Sequence, residues 1–172
     1  MVTLREETFR LEAAIRVLHR LAFGQDDESN LIDALRADGL ITASVVAEAE
    51  GKVVGHALFS DIRIETPNGI LLASALAPVS VAAEWRRQGI GSAVIQEGLS
   101  LCAKRGKTAV LVVGDPKYYS RLGFSPALAK KLRSPYSDYG NAWMAVELVA
   151  GVLEGTYGLV RYPEPFARLG AG

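Results

Sequence analysis

Residues 82–94 read AAEWRRQGIGSAV and place two arginines and two glycines just before an apolar pattern of helical period. A helix start leaves backbone N–H groups without partners and carries the positive end of the helix dipole. Gly89 and Gly91 remove side chains where another group must approach the backbone, and Arg86 and Arg87 add full positive charges. The segment is therefore typical of a phosphate-binding turn.

Two common phosphate-binding patterns fit this segment poorly. A P-loop needs lysine and then serine or threonine after its second glycine, where this chain has Ser92 and an alanine. A dinucleotide fingerprint needs a third glycine where Val94 stands, and a strand that runs directly into the first glycine. Asp115, after a later apolar run, meets one requirement of that fingerprint, so NAD(P)-linked chemistry stays open as an alternative.

The composition limits the class of partner. The 172 residues carry 19 Lys plus Arg and 19 Asp plus Glu, and a net charge of zero argues against a nucleic-acid partner. A single domain over 1–172 is expected from this length. One cysteine, Cys102, excludes an intrachain disulfide, and the start lacks the apolar run of a signal peptide, so we expect a cytoplasmic protein. Residues 66–83 are uncharged, but prolines interrupt them, which predicts a buried strand and no membrane partner.

Hydrophobic periods predict the elements that must position the turn. The predicted order is β-α-α-β-β-β-α-β-α-β, an α/β domain with a mixed sheet. Glu50-Gly51 separates two strand-like runs and predicts a tight hairpin. The expected strands are 2–6, 41–49, 52–65, 70–82 and 108–113, with further strands at WMAVELV and YGLVRY, and the expected helices are 11–22, 30–37, 91–105 and 116–122.

The motifs resemble a known family over nearly the whole chain. Arg86-x-x-Gly89-x-Gly91, after a strand ending in VSVAA, resembles the acyl-CoA pyrophosphate loop of the GNAT N-acetyltransferase superfamily. VVGHALFSDI is similar to its third strand, and GDPKYYSRLGF to the fifth-strand exit and fourth helix. GDPKYYSRLGF together with GTYGLVRYPEPF is most similar to the YhbS-like acetyltransferases. The resemblance implies the GNAT fold, a mixed, mostly antiparallel sheet with splayed central strands and helices on both faces.

The resemblance also implies a cofactor and a set of site residues. Acetyl-CoA would be the co-substrate, with its pantetheine along the fourth strand and its pyrophosphate on the turn. Tyr119, four residues before the glycine of Gly-Phe, would protonate the departing CoA thiolate, while Tyr118 points about 100° away on the helix. The residues implied to bind the co-substrate are Val79, Val81, Arg86, Arg87, Gln88, Gly89, Ile90, Gly91 and Ser92.

The general base is not identified by the sequence. Glu84, Asp61, His56 and Glu65 are candidates, and His56 could equally be a structural histidine. His19, among charged neighbours, is expected on a solvated helix face. Further expectations are that Cys102 is a small buried hydrophobe, that Asp115 caps a helix, and that the protein binds no metal.

The predicted function is acetyl-CoA-dependent N-acetylation of a primary amine by direct attack. The acceptor would lie near the loops GQDDESN, ETPNG and RSPYSDYGNAW, whose sequences do not identify it. A small-molecule acceptor is favoured over a protein. Asp26-Asp27-Glu28 could attract a cationic amine but is equally well a solvated loop. A non-catalytic acyl-CoA-binding or sensing domain is the alternative function, and a homodimer is left open.

Overall fold

Three long strands form the centre of the sheet in the computed structural model, which describes residues 1–169. They are β2 (Ile41–Ala49), β3 (Lys52–Thr66) and β4 (Gly69–Val81), paired antiparallel in chain order. Glu50 and Gly51 join β2 to β3 with φ angles of 53° and 75°, the positive values that a two-residue hairpin turn requires. The predicted hairpin is confirmed.

Shorter strands extend this centre on both sides. They are β1 Thr3–Glu6, β5 Ala109–Val113, β6 Leu132–Arg133, β7 Trp143–Glu147 and β8 Gly158–Arg161. In the main sheet order β1-β2-β3-β4-β5-β7, every pair of neighbouring strands is antiparallel except β4 with β5, which is parallel. Strand β8 pairs with the last part of β3, beyond β2, and runs parallel to the two-residue β6.

Helices cover both faces of the sheet and bury two apolar clusters. Helices α1 (Glu12–Phe23) and α2 (Asp27–Ala37) contribute Ile15, Leu31, Ile32 and Leu35 to one cluster. Helix α3 (Ile90–Lys104) contributes Val94, Ile95 and Cys102 to the other. The connections contain α4 (Pro116–Tyr119), α5 (Pro126–Ala129) and 3₁₀ turns at Phe9–Leu11, Ala83–Trp85, Ser120–Leu122, Ser137–Ala142 and Glu164–Arg168.

Strands β4 and β5 pair only briefly and then separate. Their parallel pairing covers Ser74 with Val110 and Ala75 with Leu111. Beyond it, the pairing of β4 with β3 shifts register around Ala77 and Pro78, an irregularity of the kind that bends a strand. The result is a gap in the sheet between the last third of β4 and the end of β5.

The predicted GNAT-type fold is confirmed, with small differences at element ends. Helix α2 begins at Asp27, three residues before the predicted start. Asp27 and Glu28 occupy its first turn, where negative charges are favoured by the helix dipole. The acidic run that resembled a solvated loop is therefore a helix start. The short elements α5 and β6 have no periodic pattern and were not predicted.

Candidate functional site

Helix α3 opens with backbone donors that have no helical acceptor. Gly89 caps the helix with a φ of 80°, a left-handed conformation that favours glycine. The first helical bond runs from Ala93 N–H to Gly89 C=O at 3.0 Å, so the N–H groups of Ile90, Gly91 and Ser92 precede it. Because the helix is 15 residues long, the positive end of its dipole reinforces these donors.

Two arginines stand beside these donors. Arg86 Nε donates to the C=O of Val81 at 3.2 Å, so β4 holds one side of its guanidinium. Arg87 has a φ of 63°, which is uncommon for a residue other than glycine. Both side chains are exposed, and their charges face solvent at the mouth of the turn.

The last residues of β4 direct backbone groups into the gap. Ala82 donates its N–H to Val54 C=O on β3 at 2.8 Å. Since successive residues of a strand direct their backbone groups to opposite edges, Val79 and Val81 direct theirs away from β3. Strand β5 leaves that edge after its pair with Ala75, so the Val79 N–H lies on an open edge.

A groove of about 400 Å³ joins these features. Nine of the ten residues predicted from the sequence line it, while Gln88 is exposed and does not. Ala22 and Phe23 at the end of α1 also line the groove, and no sequence pattern pointed to them because α1 is distant along the chain. Three more lining residues, Ser80, Trp85 and Tyr118, lie beside predicted ones in the sequence and could have been found by adjacency.

Tyr118 and Tyr119 both reach the groove but in different surroundings. The hydroxyls of Tyr118 and Ser92 are 3.1 Å apart at the start of α3. The Tyr119 ring lies on Gly114, where an added Cβ would be 2.3 Å from the ring, and packs edge-on against Phe124. Burial and the neighbouring Tyr118 raise the pKa of Tyr119 to about 12. Tyr119 is therefore a weaker acid than a free phenol and stays protonated at neutral pH.

A second cavity of about 320 Å³ lies at the other part of the gap. Its walls include β4 at Ala75 to Ala77 and β5 at Leu111 to Val113. Glu28, only 9% exposed, contributes a carboxylate that accepts a hydrogen bond from Gln25 Nε2 at 3.2 Å. An aromatic wall completes the cavity: Tyr136, Tyr139, Tyr162 and Phe166.

The prediction for His19 is wrong. His19 is 0% exposed, and its ring lies 5.0 Å from that of His56. It follows Ile15 by four residues and therefore shares the buried face of α1, a spacing that outweighs its charged neighbours in the sequence. Burial lowers the pKa of His19 to about 4 and holds that of His56 well below its ordinary value. His19 and His56 are neutral at pH 7.

The remaining candidate bases lie elsewhere. Asp61 accepts a hydrogen bond from Thr42 and pairs with Lys107, and Glu65 pairs with Arg161. Glu84 is exposed in the turn after β4 and lines neither cavity.

Two structural expectations are confirmed. Asp115 caps α4 by accepting the Lys117 N–H at 3.0 Å. Cys102 is 0% exposed, and burial raises the pKa of its thiol to about 11, so it is inert as a nucleophile.

Residues 1–169 contain neither a metal-binding group nor a membrane-spanning helix. None of their His, Cys, Asp and Glu side chains form a group of three or more that could hold a metal ion. None of their helices is both long and apolar enough to cross a bilayer.

Comparison with protein families gives a match over most of the chain. Residues 5–127 match the family model described as an acetyltransferase (GNAT) domain. The chain is 36% identical to the uncharacterized N-acetyltransferase YhbS of Escherichia coli K12, over 90% of this chain and 92% of the relative.

Solved structures of GNAT family proteins also match the chain. The crystal structure of Escherichia coli YhbS in complex with CoA superposes with a TM-score of 0.89 at 34% identity, covering 98% of this chain and 93% of the other. A GNAT family acetyltransferase from Brucella melitensis in complex with acetyl-CoA gives a TM-score of 0.76 at 29% identity, covering 96% and 98%.

Proposed function

Because the chain belongs to the GNAT acetyltransferase family, we propose that it transfers the acetyl group of acetyl-CoA to a primary amine by direct attack. The observation that carries this proposal is the groove in which the free N–H groups at the start of α3 meet the open edge of β4. Two relatives of this fold were crystallised with CoA or acetyl-CoA, which supports the same co-substrate here. The whole chain, 1–172, would act as one cytoplasmic acetyltransferase domain.

The groove suits a CoA thioester in its chemistry. The N–H groups of Gly89 to Ser92 and the charges of Arg86 and Arg87 would hold the pyrophosphate. The backbone of Val79 and Val81 would hold pantetheine, and an N–H on that edge would polarise the thioester carbonyl. When bound, acetyl-CoA supplies the acyl group and a thiolate leaving group.

Tyr119 would assist the departure of the thiolate. Its pKa, raised to about 12, keeps the phenol protonated, so a hydrogen-bond donor is always present in the groove. Full transfer of that proton to a thiolate, whose ordinary pKa is near 8.5, is uphill. Tyr119 therefore acts mainly by donating a hydrogen bond to the sulfur while the charge develops.

The second cavity would take the acceptor. Its carboxylate, Glu28, suits an ammonium group, and its tyrosines and Phe166 offer aromatic faces to a cation or an apolar body. A volume of about 320 Å³ suits a small amine better than a folded protein segment. We expect a small alkylamine with an apolar or aromatic body.

Thermal unfolding with and without ligands tests the co-substrate. A ligand that binds only the folded state at a hundred times its Kd adds roughly 2.7 kcal/mol of stability. We expect this shift with acetyl-CoA and none with NADH. A shift with NADH alone would favour the dinucleotide alternative and contradict the proposal.

A turnover screen with small amines and a lysine-containing peptide tests the reaction. We expect acetyl-CoA consumption with alkylamines such as phenethylamine. Glu28→Gln should raise the KM for that amine about tenfold or more with little change in acetyl-CoA affinity, since it removes one charge from the cavity. Asp27→Asn, the same change one residue away, is the control. Binding of acetyl-CoA without turnover of any amine would favour the sensing domain instead.

A further inference from the structure

A row of polar side chains crosses the core from the groove to the N-terminal edge of the sheet. Ser80 Oγ lies 2.7 Å from His19 Nδ1, and His19 Nε2 lies 2.7 Å from His56 Nδ1. His56 Nε2 is 2.7 Å from Ser44 Oγ, which is 2.5 Å from Glu7 Oε1. We call these five residues the polar row; they come from β4, α1, β3, β2 and the segment after β1.

The polar row is almost entirely buried. His19 and His56 are 0% exposed, and Ser80 and Ser44 are 5% and 6% exposed. Ser80 lines the groove between Val79 and Val81, the two residues whose backbone borders the gap. The Glu7 side chain, at the other end, is 11% exposed.

The hydrogen bonds of the row have one consistent direction. Glu7 pairs with Arg36 at 2.7 Å, so it is an ionised acceptor and Ser44 donates to it. With its only proton used, Ser44 must accept from His56 Nε2–H. His56 Nδ1 then accepts from His19 Nε2–H, which leaves His19 Nδ1 to accept from Ser80. Both rings are neutral because burial lowers their pKa values.

Glu7 supplies the negative charge at the far end of the row. Arg36 is the cation facing Glu7, and it also pairs with Glu12 and Asp33. The other groups that face the two rings are Ser80, Ser44 and the ring of Phe23, which carry no charge. Glu7 is thus the one carboxylate in the row and its final acceptor.

We propose that the polar row is the base of the acetyl transfer, with Ser80 accepting the proton of the acceptor amine. The inference rests on the proposed function. As the N–H bond of the ammonium breaks, its proton bonds to Ser80 Oγ and the electron pair stays on nitrogen. The Ser80 proton passes to His19 Nδ1, and the His19 Nε2 proton to His56 Nδ1. The His56 Nε2 proton passes to Ser44 Oγ, and the Ser44 proton to the Glu7 carboxylate, which becomes neutral.

The return of the proton restores the row. After the product leaves, the proton on Glu7 retraces the same path and passes from Ser80 to water in the groove. Each ring regains its Nε2–H tautomer, and Glu7 is ionised again. One ammonium proton reaches solvent through the row, and a second N–H proton leaves the amine as the amide bond forms and passes to the CoA sulfur, so the cycle balances. Ser80 lines the groove in which the amine nitrogen would meet the thioester, whereas the other four members act through Ser80.

The kinetic test compares Glu7→Gln with Glu6→Gln, the same change on the neighbouring residue, whose carboxylate pairs with Arg105 at the surface. The assay uses acetyl-CoA and phenethylamine from about pH 6 to about pH 10, a range that ends near the ordinary pKa of an alkylammonium group. Near pH 7 we expect Glu7→Gln to lower kcat about a hundredfold, since its amide accepts the Ser44 hydrogen bond but no proton.

The pH profile separates this role from a structural one. The loss in Glu7→Gln should shrink toward pH 10, where the amine arrives neutral, with acetyl-CoA affinity unchanged throughout. A loss of the same factor at every pH, or no loss, overturns the proposal. A pH-dependent loss of kcat in Glu28→Gln that is absent in Glu7→Gln would also overturn the proposal.

A second pair of variants tests the entrance to the row. Ser80→Ala should reproduce the pH-dependent loss. Ser60→Ala removes another strand hydroxyl that is 0% exposed and makes no hydrogen bond within residues 1–169, and it should leave kcat unchanged. Equal activity of the two variants would contradict the proposal.

Histidine tautomers give a readout that needs no acceptor. ¹⁵N NMR of the unliganded wild-type protein at pH 7 should show both buried rings neutral with their protons on Nε2. An Nδ1–H tautomer or an imidazolium in either ring breaks the direction of the row and overturns the proposal. A wild type that acetylates no amine would instead contradict the proposed function, while the tautomers still test the row.

Discussion

Tyr119 is held in place by its contacts with Gly114 and Phe124, and its hydroxyl is the group that we propose assists catalysis. Tyr119→Phe keeps the ring and its packing but removes the donor to the thiolate. We expect kcat to fall about tenfold to a thousandfold while acetyl-CoA affinity stays within about twofold. Steady-state kinetics and a binding titration on the same preparation measure both quantities. Full turnover in the phenylalanine variant would remove Tyr119 from the mechanism.

The buried histidines make the fold sensitive to acid. The pKa of His19 is about 4 in the folded protein and 6.5 ordinarily, so between these values the unfolded chain binds a proton that the folded chain does not. The free energy of unfolding is therefore highest above about pH 6.5 and falls as the pH drops toward 4, by about 3 kcal/mol for this ring. Urea unfolding from about pH 8 to about pH 4 should show this fall. His19→Asn should show a smaller one, and parallel curves would contradict the assignment.

Residue types and spacing predicted the glycine-containing turn before α3 but not the buried histidine pair beside the groove. Gly89, Gly91 and the arginines could be found because a loop motif keeps its members adjacent in the chain. The contact of His19 with His56 could not, since 37 positions separate them and only the packing of α1 on the sheet brings them together. The spacing of His19 from Ile15 was the available signal, and the charged neighbours of His19 obscured it.

At the scale of elements, a glycine directly after β5 leaves room for the Tyr119 ring. Gly114→Ala would put a Cβ 2.3 Å from the Tyr119 ring, so the ring must move away from the groove. We expect turnover to fall nearly as far as in Tyr119→Phe, with acetyl-CoA affinity kept. In the Tyr119→Phe background the same change should cost little further turnover, because the hydroxyl is already gone. Additive losses would show that Gly114 acts through another contact.

The turn before α3 combines strain with charge at Arg87. Arg87→Gly removes the charge and suits the φ of 63°, so we expect unchanged or higher stability together with weaker acetyl-CoA binding. The affinity should fall by about threefold to tenfold at low salt and by less at high salt, since the side chain is exposed and screened. Arg87→Lys retains the charge and serves as the control. Unchanged affinity in the glycine variant would exclude Arg87 from phosphate binding.

Elements with a strong period were predicted closely, whereas their partners, apart from the β2–β3 hairpin, were not. The alternation in β2 and β3 and the apolar stripe of α3 gave bounds within a residue or two. The early end of the β4–β5 pairing came from the family resemblance, because no period records which strands separate. The partnership of β8 with the far end of β3 had no local signal at all.

At the scale of the whole molecule, the net charge of zero conceals local separation of charge. Arg86 and Arg87 stand at the mouth of the groove, while Glu28 lies in the second cavity. On the proposed function, an anionic and a cationic substrate would thus bind in different parts of one gap. Composition argues against a broadly basic surface, but only the fold brings both regions to the edge of β4.

The two cavities share no lining residue, although both border β4. Each proposed substrate would therefore have an approach of its own, and neither would have to depart before the other arrives. Initial velocities measured against both substrates should give double-reciprocal lines that intersect, the pattern of a ternary complex. Parallel lines would mean that the enzyme carries the acetyl group covalently between two half-reactions.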